Sequence, residues 1–78
     1  MSLKDKQRLI KQIRIELAKA QSVKDLKKIE QLIWILKTSP RVEVESYENW
    51  LRVYLEILRI EADFSVISYN IKINQTAF

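Results

Sequence analysis

The chain has 78 residues, 47% hydrophobic and 31% charged, with a formal net charge of +4. This length makes one domain and leaves no room for a second, and the balance suits a folded chain rather than a disordered one. The absence of Cys, His and Gly excludes disulfides, thiolate nucleophiles, Cys- or His-based zinc sites, imidazole acid–base chemistry and glycine-rich phosphate loops.

The first predicted element is a helix over about 3–20. Ser2 is placed to cap it, with Asp5 three residues on to reach back to the Ser2 backbone. Leu3, Leu9, Ile10, Ile13, Leu17 and Ala20 recur at helical spacing and define its apolar face. Gln21 and Ser22 interrupt it. A second helix follows over about 23–38 and starts the same way, Ser22-Val23-Lys24-Asp25 echoing Ser2-Leu3-Lys4-Asp5. Its face is Leu26, Ile29, Leu32, Ile33 and Leu36. Pro40 disfavours helix at the residue before it and sets the stop near Thr38.

A third helix is predicted over about 46–62, with Tyr47, Trp50, Leu51, Tyr54, Ile57 and Leu58 as its main face. Val53, Ile60 and Phe64 widen that face beyond half the circumference, so the helix needs cover on two sides. Two short stretches read as strand. Residues 41–45 alternate, and so does the stretch near 66–73, where Ile67, Tyr69, Ile71 and Ile73 stand at period two among strong β-formers. The expected fold is therefore mostly α: a three-helix bundle with one or two short β segments near 41–45 and 66–73. The alternative is an all-α four-helix arrangement in which the tail completes a fourth helix.

The longest unbroken apolar run, Leu32 to Leu36, is far below the roughly 20 residues that span a bilayer. The N-terminal residues mix Lys4, Asp5, Lys6 and Arg8 with apolar ones, without the apolar core of a signal peptide, so cytoplasmic residence and no membrane are expected.

Residues 1–41 hold eleven Lys/Arg against four Asp/Glu, and residues 42–78 three against six. Such asymmetry points to nucleic acid or to an acidic partner. Lys4, Arg8, Lys11 and Lys19 share one stripe of the first helix with Ile15 among them, and Lys24, Lys27 and Lys28 carry the basic character into the second. This stripe is the candidate contact for a phosphate backbone. Trp34 and Ile35 flank the apolar face of the second helix. With Ile60, Phe64 and Ile71 they are the candidate oligomer interface, since one chain has too little helix to cover so much apolar surface. Glu61, one turn beyond Ile57 and Leu58, is either wet at a frayed helix end or paired with a cation from another element.

No catalytic, cofactor-binding or metal-binding residue is expected, nor a small-molecule substrate. The function expected is that of a non-enzymatic interaction or regulatory protein that forms a homo-oligomer and docks a protein partner. The alternative is a small basic nucleic-acid-binding protein.

Overall fold

The fold, a computed structural model, describes residues 2–38 and 46–76. It consists of three α-helices, α1 Leu3–Lys19, α2 Val23–Thr38 and α3 Tyr47–Thr76. Each helix packs against both of the others. No strand is present among the described residues.

The helix starts follow the capping chemistry. The Asp5 N–H donates to Ser2 Oγ at 3.2 Å and the Ser2 N–H donates back to the Asp5 carboxylate at 3.4 Å. Ser22 and Asp25 repeat the exchange at 3.3 and 3.2 Å, with a further donation from the Gln21 N–H at 3.0 Å. At α3 the Asn49 N–H donates to Ser46 Oγ. Each cap satisfies donors that a helix N-terminus otherwise leaves open.

The core is built from one stripe of each helix. Ile10, Ile13 and Leu17 come from α1, Ile29, Ile33 and Leu36 from α2, and Val53 and Ile60 from α3. Ile13, Ile29 and Ile60 are fully buried, one per helix. Ile57, Phe64 and Ile67 pack against this cluster from α3. Charged pairs bracket the seams. Arg14 pairs with Glu56 between α1 and α3, Lys28 with Glu16 at 3.7 Å between α2 and α1, and Lys37 with Glu61 at 3.5 Å between α2 and α3.

The expected strand near 66–73 is instead the C-terminal third of α3. That helix runs 30 residues, about 45 Å at 1.5 Å per residue, and gives the molecule its longest dimension of 52 Å. It neither ends near 62 nor breaks into a fourth helix, because no Gly or Pro interrupts 47–76. The strand expected at 41–45 falls outside the described residues.

Candidate interaction surface

α3 carries two apolar faces. The inward one is Val53, Ile57, Ile60, Phe64, Ile67 and Ile71, recurring every three or four residues. The outward one is Leu51, Leu55, Leu58, Ala62, Val66, Tyr69 and Ile73. Its successive spacings are four, three, four, four, three and four residues, which keeps it on one line along the helix. Leu51 is half-buried and Ala62 exposed, while the other five are between 43% and 65% exposed, against 1% for Ile60 across the helix. Half of the expected main face of α3 therefore points to solvent, since Tyr47, Tyr54 and Leu58 are all exposed.

The first turns of α3 hold an aromatic stack. Tyr47 and Trp50 have ring centroids 5.8 Å apart, and Trp50 and Tyr54 5.5 Å with planes inclined by 11°. Spacings of three and four residues put these rings one above the next on a helix. Trp50 and Tyr54 share a shallow groove with Lys6, Leu36, Val53 and Ile57. Lys6 is only 5% exposed there, a burial that the sequence reading missed. The signal was available: Lys6, Ile10, Ile13 and Leu17 are spaced four, three and four apart, so Lys6 stands in line with the core.

The expected oligomer residues divide. Trp34 is 65% exposed and lines a groove between α2 and α3 with Phe64, Glu61 and Lys37. Ile35 is exposed on the outer side of α2. Ile60 and Ile71 are buried within the chain, because they belong to the inward stripe, and they are withdrawn from the candidate interface. Glu61 is neither frayed nor wet at a helix end. It lies mid-helix and pairs with Lys37.

Lys4, Arg8, Lys11 and Lys19 are exposed on the outer side of α1 with Ile15 among them, and Lys24, Lys27 and Lys28 are exposed on α2. Among the described residues no carboxylate forms an ion pair with Lys4, Arg8, Lys11 or Lys19, whereas Lys28 is engaged with Glu16. The four α1 cations form a stripe about 22 Å long at 1.5 Å per residue.

No group of three or more potential ligands that could hold a metal ion occurs among the described residues. No helix there is long and apolar enough to cross a membrane. Compared with protein-family models, curated proteins and solved structures, the chain matches none of them.

Proposed function

We propose that this chain is a non-enzymatic cytoplasmic interaction protein that works by docking another protein surface along the outer face of α3. One observation carries this reading: α3 bears a second apolar stripe opposite the one it buries. A surface helix that packs on one side needs one apolar stripe, with polar residues opposite. The outer stripe runs from Leu51 to Ile73, 22 residue steps or about 33 Å at 1.5 Å per residue, on a helix about 10 Å across. Its footprint is on the order of 300 Å², the scale at which an exposed apolar patch on a soluble protein marks a binding surface.

The test is site-specific photo-crosslinking in cells that produce the protein. A benzophenone amino acid replacing Leu58 or Val66 is expected to give discrete crosslinked protein adducts. The same probe at Gln12, on the outer side of α1, is expected to give none. Equal yields from all three sites, or none from any, would overturn the reading.

A second reading rests on the exposed α1 stripe, which matches a phosphate backbone in sign and shape. Four cations that each neutralise a phosphate on duplex DNA give a log–log salt dependence of affinity with a slope of about −3.5. Joint replacement of Lys4, Arg8, Lys11 and Lys19 by Ala would abolish it. Absence of binding to duplex or single-stranded DNA and RNA at about 50 mM salt, where such contacts are strongest, removes this reading.

A further inference from the structure

The outer stripe of α3 has an internal symmetry. Its spacings read the same in both directions, four, three, four and then four, three, four, with Ala62 at the centre. Leu58 and Val66 are equidistant from Ala62, as are Leu55 and Tyr69, and Leu51 and Ile73. A pattern that is its own reverse fits a second copy laid antiparallel. A two-fold axis through Ala62 sets every apolar residue of one helix opposite an apolar residue of the other. Two-fold pairing requires a self-complementary patch of this kind.

We infer that the partner of this face is a second copy of the chain, paired antiparallel along α3 about a two-fold axis at Ala62. The inference rests on the docking reading above and names its occupant. Side-chain size supports it, because the smallest residue of the stripe lies at its midpoint. Helix axes approach most closely where the contacting side chains are smallest. Leu51, Leu55, Tyr69 and Ile73 then fill the widening gap on either side.

Charge supports it independently. Arg59 and Asp63 lie on the same flank of the stripe and on opposite sides of its centre, three residues before Ala62 and one residue after it. Antiparallel pairing brings Arg59 of each copy to Asp63 of the other, forming two reciprocal ion pairs. Parallel pairing in register carries the two charged flanks to opposite sides of the interface, so that Arg59 and Asp63 of one copy do not meet those of the other. Both residues are exposed, and among the described residues Arg59 pairs with Glu56, at 3.9 Å. Area fits as well. Two footprints of about 300 Å² each, with Tyr54 and the flanking charged stems, approach the roughly 1,000 Å² of a small specific interface. The pairing is thus expected to be reversible.

Sedimentation equilibrium from about 1 to 200 µM, a span that brackets a micromolar dissociation constant, tests the pairing. The weight-average mass is expected to climb from the chain mass of 9.3 kDa toward twice that value. Ala62→Glu, an exposed position in the single chain, sets like charges on the axis and is expected to hold the mass at one chain with helicity unchanged. Arg59→Glu is expected to weaken association about tenfold through loss of the pairs and new repulsion, and Asp63→Arg in the same chain to restore it.

Orientation is read by cysteine scanning, since the natural chain has no Cys. Oxidised Ala62→Cys is expected to crosslink to itself. Leu55→Cys and Tyr69→Cys are each expected to remain monomeric alone and to crosslink when mixed. A chain-mass value at every concentration, a dimer that survives Ala62→Glu, or Leu55→Cys crosslinking to itself as readily as Ala62→Cys would overturn the pairing. Hetero-protein adducts at Leu58 with a monomeric purified chain would overturn self-pairing and leave the docking reading standing.

Discussion

Lys6 shows how a single residue is positioned by what lies across from it. It occupies a core register on α1, and the groove it lines is walled by Trp50, Tyr54, Leu36, Val53 and Ile57. A lysine stem buries well against apolar surface. Lys6→Ala is expected to destabilise by about 1–3 kcal/mol, whereas Lys4→Ala, on the exposed stripe, is expected to stay within about 0.5 kcal/mol. Urea unfolding of the two variants compares them directly, and equal small costs would contradict the core register assigned to Lys6. The capping aspartates make a second case. A hydrogen bond from the Ser2 side chain, then one from its backbone N–H, holds the Asp5 carboxyl below its ordinary value. For Asp25 the backbone N–H of Gln21 is the largest cause, aided by Ser22. A carboxyl lowered in the folded state contributes stability above its unfolded value, near 3.9. That contribution is lost as pH falls through the folded value. Asp5→Asn and Asp25→Asn are therefore expected to lower the thermal midpoint at pH 6 and to lower it less at pH 2. An undiminished difference at pH 2 would assign the effect to packing.

At the scale of the element, α3 separates what the sequence displays from what it conceals. Ile60→Ala is expected to cost about 2–5 kcal/mol, as large-to-small core changes do, and Leu58→Ala less than about 1 kcal/mol in the isolated chain. Chemical denaturation at low protein concentration measures both, and equal costs would contradict the assigned faces. α1 and α2 were legible because each has one apolar stripe and a Ser–Asp cap, so periodicity and capping agree. The first part of α3 was legible as helix, but its facing was not. With apolar residues on two sides, Tyr47, Trp50, Tyr54 and Leu58 fit a core face as well as Val53 and Ile60 do. Its last third misled for the same reason. Ile67 and Ile71 belong to the inward stripe, Tyr69 and Ile73 to the outward one, and both pairs are spaced four apart. Interleaved, the two stripes place an apolar residue at every second position, which is the pattern of a half-buried strand. Only packing against α1 and α2 resolves it, since tertiary context overrides β-propensity. The outer stripe, and with it the candidate site, was hidden by the same ambiguity.

Across the whole molecule, the opposite charge of the two halves has an internal use. Arg14 with Glu56 and Lys37 with Glu61 join basic helices to the acidic one, so part of the asymmetry that suggested an external polyanion helps to dock α3. These pairs are half-exposed and contribute little each; the shared core holds the fold. A domain of this size buries only about 60% of its unfolded surface, so no helix is dispensable. The C-terminal third of α3 makes this concrete. Ile67 packs on the central cluster, Ile71 is buried, and Phe64, Ser68 and Lys72 line a groove with Val23 and Leu26 at the start of α2. Ile67 also lines a groove with Leu17 near the end of α1. A chain ending at Ser65 would expose Leu17 and Leu26 and lose the burial of two isoleucines, about 1.5–3 kcal/mol each by transfer alone. Total stability for this length is on the order of 4–12 kcal/mol, so the loss is comparable to all of it. Trp34 and Trp50 are the only tryptophans. Trp50 shares its groove with Lys6 and Leu36, at the start of α1 and the end of α2 and so at the end of the bundle away from the cut. In the truncated chain the Trp50 fluorescence and near-ultraviolet dichroism, isolated with Trp34→Phe, are expected to be lost together with the helical signal in one transition at a lower temperature. If residues 66–76 were an accessory strand or tail, the Trp50 signals and the midpoint would be unchanged.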